Sequence, residues 1–173
     1  MRIATFAATA CLALLGTMVF AQSVTYDFDR SANFTKFRTY TWVRGTTLSD
    51  ELNHQRVVRA IDAQLTARGF SRVEANPDVL VAYHASFDKN LQINGFSSGF
   101  GGYRFGGSRS GTATVDEIVV GTLVVDIVEA KTRTIVWRGT VTKEVDTRAS
   151  AERRDKNINR AAEKLFKNYP PVN

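Results

Sequence analysis

The stretch "EIVVGTLVVDIVEAKTRTIVWRGTVTKEV", Glu117–Val145, carries the strongest structural pattern in the chain. Two runs rich in valine, isoleucine and threonine are separated by the short polar segment "EAKTR". These residue types favour strands, and a short polar connection between two such runs is typical of a β-hairpin. The sequence therefore predicts two antiparallel strands joined by a turn at Glu129–Arg133.

Three residues of this hairpin are predicted to have structural roles. Trp137 fills the core, and Gly139 on the same strand face leaves room for the indole ring or for a crossing helix. Asp126 is the one charge in an apolar strand, and a buried carboxylate needs a partner. That partner is Arg138 or Arg133 across the hairpin, or a backbone turn that Asp126 caps.

Three further segments upstream of the hairpin have strand patterns. "VTYDFDR" and "RTYTWV" alternate apolar and polar residues, and Trp42 in the second is predicted to be structural. "VLVAYHASF" is apolar on most of both faces, which is typical of a strand inside a sheet.

Two segments have helical patterns. Apolar residues at spacings of three and four predict a helix over about Asp50 to Arg68, capped by Ser49 or Asp50 and followed by Gly69 at a left-handed position. A second helix is predicted after Ser150 and before "YPP", where proline ends it.

Together these elements predict an α+β fold. Two amphipathic helices need an apolar surface to cover, and a sheet supplies it. We expect a two-layer sandwich in which both helices pack on one face of a mainly antiparallel sheet of about five or six strands. The helix between the second and third strands allows one parallel crossover, which would be right-handed.

The first residues of the chain have the pattern of a secretory signal peptide. Arg2 precedes an uncharged apolar run that ends in the small-residue site at Ala21. Most of that run follows Cys11, so a lipid anchor on Cys11 is not expected. We predict a signal peptide over 1–21, a single domain over 22–173, no membrane span after cleavage, and a location in the bacterial periplasm.

Composition narrows the chemistry of that domain. Cys11 is the only cysteine, so the mature chain lacks disulfides, thiol nucleophiles and thiolate metal sites. The net charge is +6, of which the signal peptide carries one. Because the charges are interspersed, they indicate solubility first. Anionic lipids, acidic glycans and nucleic acids are the partners that a positive charge would otherwise suggest, and export argues against nucleic acids.

Four blocks of the sequence together resemble the bacterial domain-of-unknown-function family 4136: "YDFDRSANFTKFRTYTW", "NPDVLVAYH", "GTLVVDIVEAKTRTIVWRGTV" and the terminal "YPP". The resemblance covers nearly all of the mature chain. It implies an envelope protein, often a lipoprotein, with an α+β fold. It implies no reaction and no active-site residues, and this chain departs from the lipoprotein members because it lacks a lipobox.

The glycine-rich segment "GFSSGFGGYRFGGSRSG", residues 95–111, lies between two predicted strands. Gly107 stands where a phosphate-binding loop needs lysine, and no helix follows, so neither a phosphate loop nor a dinucleotide site is predicted. Long loops are often functional, and aromatic and arginine side chains are enriched at binding hot spots. The segment is thus predicted to be a flexible loop, either an interaction loop or a disordered connector, and its candidate binding residues are Phe100, Tyr103, Arg104, Phe105 and Arg109.

The sequence also lacks a complete calcium-binding loop. The segment from Asp27 has the odd spacing of a calcium loop, but Ala32 replaces the required glycine and Arg38 the bidentate glutamate. No metal and no cofactor is predicted.

Three functional hypotheses follow from the sequence. The first is a non-enzymatic envelope module that binds a protein, glycan or lipid surface, partly through residues 95–111. The second is a periplasmic hydrolase or transferase in which His84 acts with Ser86, Asp88 or Asp78, although no nucleophile-elbow or oxyanion-hole motif accompanies them. The third is direct binding of anionic lipid through the basic surface.

Overall fold

The computed structural model describes residues 22–95 and 113–171, and within them all side chains except those of residues 90–95 and 113–117. The elements in chain order are β1 (Ser23–Phe28), a short 3-10 helix (Phe34–Lys36), β2 (Thr39–Trp42), α1 (Glu51–Thr66), β3 (Ser71–Arg72), β4 (Val79–Gly95), β5 (Ala113–Glu129), β6 (Ile135–Glu144) and α2 (Ala151–Phe166). All predicted strands and helices are present. The two-residue β3 was not predicted, and β4 extends well beyond its predicted end.

The described strands form one six-stranded sheet in the order β1-β6-β5-β4-β2-β3. Strands β1, β6, β5 and β4 pair antiparallel with their neighbours. Strand β2 pairs in parallel with both β4 and β3, because α1 returns the chain to the same end of the sheet. The prediction of an α+β fold with a mainly antiparallel sheet is confirmed.

The helices begin and end where local sequence signals place them. The Asp50 carboxylate accepts hydrogen bonds from the backbone N–H groups of Leu52 and Asn53 at 3.0 and 3.2 Å. The Ser150 hydroxyl accepts one from Arg153 N–H at 3.3 Å. After α1, Gly69 takes a φ of 82°, as the cap prediction requires. Neither described helix is long and apolar enough to cross a membrane.

The core lies between both helices and one face of the sheet. Alternate residues of the central strands are buried there, among them Val79, Val81, Tyr83, Val125 and Ile127. They form one cluster with Val57, Ile61 and Leu65 of α1 and with Leu165 and Phe166 of α2. The intervening strand residues, such as Leu80, His84 and Asp126, point to the opposite side, which neither helix covers and which we call the open face.

The helices are shorter than the strands beneath them. Each helix has 16 residues, whereas β4 and β5 have 17 each. A helix rises about 1.5 Å per residue and a strand about 3.3 Å, so the helices span about 24 Å and the strands about 55 Å. The distal halves of β4 and β5 therefore continue past the helical layer.

Candidate binding groove

An open groove of about 1120 Å³ lies on the helix side of the sheet, where the helical layer ends. Its floor consists of apolar side chains from β4, β5 and β6, including Ala85, Leu123 and Val141. Val57 of α1 and Ile158 of α2 form the wall beside this floor. The segment 145–149, which joins β6 to α2, closes the other side. The groove is thus apolar at its base and open to solvent above.

Phe87 supplies the largest exposed apolar surface in the groove, with 54% of the residue exposed. It is paired across β4 and β5 with Gly121. A Cβ atom at Gly121 would lie 2.7 Å from Val145 Cγ2 and 3.2 Å from Phe87 Cε1. Glycine at this position therefore lets Phe87 and Val145 close over β5, which makes the distal floor continuous.

Basic side chains line the groove together with this apolar floor. The Lys143 ammonium donates to Asn157 Oδ1 at 3.1 Å, and the Arg154 guanidinium donates to the Thr147 carbonyl at 3.0 Å. Arg148 is exposed. The positions of Lys143 and Arg154 are thus set by neutral oxygen atoms, so their charges are not neutralised by these contacts.

The segment before α1 supplies one end of the groove. The Leu48 backbone N–H donates to the Tyr83 hydroxyl at 3.4 Å, and that hydroxyl is hydrogen-bonded to His54 Nδ1. Burial raises the pKa of Tyr83, so its hydroxyl keeps its proton. This network ties α1, β4 and the Leu48 segment together at the base of the groove.

On the open face, Asp126 pairs with Arg138. Its two carboxylate oxygens accept from Arg138 Nε at 2.6 Å and from the second guanidinium nitrogen at 2.7 Å, and Asp126 is 4% exposed. These hydrogen bonds raise the pKa of Arg138. Of the alternatives that the sequence left open for Asp126, the structure shows the ion pair with Arg138, directly across the strand pair.

His84 lies beside this ion pair and both of its ring nitrogens have neighbours. Nε2 lies 3.6 Å from an Asp126 carboxylate oxygen, and Nδ1 accepts from the Thr46 backbone N–H at 3.1 Å. Because Nδ1 accepts a hydrogen bond from a backbone N–H, the neutral ring carries its own proton on Nε2, which faces Asp126. Neither His84 nor Asp126 lines the groove.

The other residues of the hydrolase hypothesis are not gathered around His84. Ser86 and Asp88 are exposed further along β4. Asp78 lies at the start of β4, where its carboxylate accepts from the backbone N–H groups of Arg38 and Thr39 at 2.8 and 2.9 Å. These hydrogen bonds, that of Arg38 first, lower the pKa of Asp78. Asp78 therefore joins the start of β4 to the start of β2.

The predicted structural residues lie in or beside the core. Trp42 donates from its indole nitrogen to Asp62 Oδ1 at 2.8 Å. Trp137 is buried and its ring lies 5.2 Å from that of Phe166. A Cβ atom at Gly139 would clash with both the Trp137 ring and Leu165, so this glycine leaves room for the ring and for the helix.

The candidate binding residues of the glycine-rich segment, Phe100, Tyr103, Arg104, Phe105 and Arg109, lie outside the described residues. Their assignment stays a prediction. The groove itself was missed at the level of sequence. A signal existed, since the apolar positions on one face of β4 and β5 continue beyond the length that a 16-residue helix covers.

Comparison with known proteins gives a family and a fold. The family model DUF4136, described as a domain of unknown function, matches residues 24–171. No curated protein matches the chain. The chain is similar in fold to a PDZ domain protein from Parabacteroides distasonis, with 14% identity, a TM-score of 0.58 and 88% of the chain covered, and it spans 37% of the length of that protein.

Two further solved structures are more distant. A PelC dodecamer from Paraburkholderia phytofirmans has 9% identity and a TM-score of 0.47, over 84% of this chain and 95% of that one. Lipoprotein GNA1162 from Neisseria meningitidis has 9% identity and a TM-score of 0.44, over 76% of this chain and 99% of that one.

Proposed function

The chain belongs to the DUF4136 family, and we propose that it is a non-enzymatic binding module of the bacterial envelope whose groove takes the hydrocarbon chain of an amphiphilic ligand. The observation that carries this proposal is the apolar floor beyond the helices, which includes Phe87 with more than half of the residue exposed. Exposed, contiguous apolar surface in a concave site is typical of ligand binding.

Export is part of the proposal. It rests on the signal-peptide pattern that ends at Ala21, which precedes the described residues. An envelope location also suits the ligand class, because amphiphiles with long hydrocarbon chains are abundant there.

A binding role accounts for the site better than the hydrolase hypothesis does. His84 Nδ1 is occupied by the Thr46 N–H, so it cannot accept a proton from a nucleophile without losing that hydrogen bond. The groove contains neither this histidine nor Asp126. We assign His84 and Asp126 to holding the open face and the Thr46 segment in place.

Two neighbouring residues of β4 provide a matched test, because they point to opposite faces of the sheet. Ala85 lines the groove and Ser86 is exposed on the open face. We expect saturable binding of N-phenyl-naphthylamine, a neutral apolar fluorophore, to the purified protein. Ala85→Phe should weaken it about tenfold by filling the groove, equivalent to about 1.4 kcal/mol. Ser86→Phe should leave it unchanged.

Circular dichroism melting of both variants controls for folding. The proposal is wrong if the fluorophore does not bind saturably, or if the two phenylalanine variants, both folded, weaken its binding equally.

A further inference from the structure

We infer that the ligand of the groove is an acyl lipid with a phosphate headgroup, its chain on the apolar floor and its phosphate at the basic rim. This inference rests on the proposed function, because it specifies the ligand of the same groove.

The charges that line the groove favour an anion. Four cations line it, namely Lys89, Lys143, Arg148 and Arg154, against two carboxylates, Glu144 and Asp146. One of those carboxylates is already engaged. Asp146 accepts from the Arg148 backbone N–H at 2.9 Å and lies 3.7 Å from the Arg153 guanidinium.

Three of these cations, Lys143, Arg148 and Arg154, have no carboxylate partner among the contacts of the described residues. Lys143 and Arg154 bond to an amide and to a carbonyl oxygen, which leaves their charge uncompensated. The Arg148 side chain is exposed and has no hydrogen bond or ion pair with the residues described here. An anionic headgroup would meet these three cations while the hydrocarbon chain attached to it lies on the apolar floor of the same groove, so the site is complementary to an anionic amphiphile.

The floor favours an acyl chain over an extended peptide. It is formed by the middle strands of the sheet, and over Val120–Val128 the backbone groups of β5 are paired with β4 on one side and β6 on the other. A peptide laid across this face would bury its own N–H and C=O groups without partners, at a cost in free energy. A hydrocarbon chain has no such groups, so the same surface binds it without that cost.

The glycine-rich segment of this chain is a poor occupant by the same charge argument. Residues 95–111 contain Arg104 and Arg109 and no acidic residue. Placing that segment in the groove would bring two more cations to a rim that already has a cationic surplus.

Displacement of bound N-phenyl-naphthylamine by dodecyl amphiphiles, each below its critical micelle concentration, tests the inference. We expect dodecyl phosphate to displace the fluorophore at about tenfold lower concentration than the neutral dodecyl maltoside, with a difference that shrinks in high salt. Dodecyltrimethylammonium should be no better than the maltoside. Inorganic phosphate at millimolar concentration should not displace the fluorophore.

A pair of charge reversals identifies the rim. Arg148→Glu should weaken dodecyl phosphate binding about threefold to tenfold while changing maltoside binding by less than about twofold. Lys156→Glu makes the same charge change at an exposed position of α2 that does not line the groove, and should leave both affinities unchanged.

Several outcomes would overturn the inference, and they are distinct from failure of the proposed function. Equal affinity for the phosphate and the maltoside, or equal effects of the two reversals, would remove the anionic headgroup but leave the groove as an apolar site. Displacement by inorganic phosphate alone would indicate a free-anion site. Tighter binding of an acidic amphipathic peptide than of dodecyl phosphate would indicate a protein partner. If the unaltered protein does not bind the fluorophore at all, the proposed function itself is wrong.

Discussion

The two halves of the segment Val79–Phe87, at the start of strand β4, have the same apolar pattern on the same side of the sheet, yet they lie in different environments. In the proximal half, Val79, Val81 and Tyr83 are 0%, 0% and 1% exposed. Continuing at the same spacing, Ala85 is half-buried and Phe87 is 54% exposed. The proximal residues lie beneath the helices, and the distal ones form the floor of the groove.

An alternating apolar pattern in a strand therefore leaves open whether the apolar face is covered by helices. Alternation along a strand determines which residues share a face, because successive side chains point to opposite sides. It does not determine whether anything covers that face. In β4 the covered part contributes to stability, and we infer that the uncovered part contributes to binding.

The largest expected difference between the halves is in stability. Tyr83→Ala should lower the free energy of unfolding by about 3–5 kcal/mol, because it leaves a cavity in the core and removes the hydroxyl that joins His54 to Leu48. Phe87→Ala should cost about 1 kcal/mol or less, because the ring is already largely hydrated, but it should weaken fluorophore binding. Urea unfolding measures the loss of stability in each of the two variants. Equal losses of stability would show that the two halves are covered alike.

A second prediction contrasts the open face with the helix-covered face. Arg138→Met leaves the buried Asp126 carboxylate without its bidentate partner and should cost about 2 kcal/mol, less than for a fully buried pair because Arg138 is half exposed. Adding Asp126→Asn should recover part of that loss, since it removes the unpaired charge. A double variant that is less stable than Arg138→Met alone would contradict this account of the ion pair.

The smallest expected effect concerns Asp78, which joins the covered end of β4 to the start of β2. The pKa of Asp78 is lower in the folded chain than in the unfolded one, so the carboxylate stabilises the fold above its unfolded-state pKa of 3.8. That contribution is lost as the pH falls through the lower, folded-state pKa. Asp78→Asn should therefore lower the free energy of unfolding by about 1 kcal/mol at pH 7. At about pH 3 the variant and the unaltered chain should differ less in this free energy. Urea unfolding at both pH values measures this difference, and a difference that does not change with pH would contradict the prediction.

Elements with local signals were predictable from the sequence. Asp50 and Ser150 cap their helices with their own side chains, and the turn of the β5–β6 hairpin needs only the few residues between its strands. Strand β3 was missed because Ser71 and Arg72 have no strand pattern. They pair with β2 only because α1 brings the chain back there, with Ser71 N–H donating to the Arg38 carbonyl at 2.8 Å.

The candidate site was less predictable for the same reason. Arg138 was one of several alternatives for Asp126, since proximity along a hairpin does not by itself select between Arg138 and Arg133. The sequence suggested a catalytic grouping around His84, whereas Thr46, far away along the chain, occupies one of its ring nitrogens. The groove draws on β4, β5, β6 and both helices, and no local segment contains it.

The sequence by itself determined most of the secondary structure, the two layers and the family, because these depend on patterns within short windows of the chain. The tertiary structure decided which apolar residues are covered. That depends on the lengths and positions of helices that are distant in the chain, and a helix rises less than half as far per residue as a strand. Phe87 continues the same alternation as Tyr83, and only the end of the helical layer leaves it exposed in the groove.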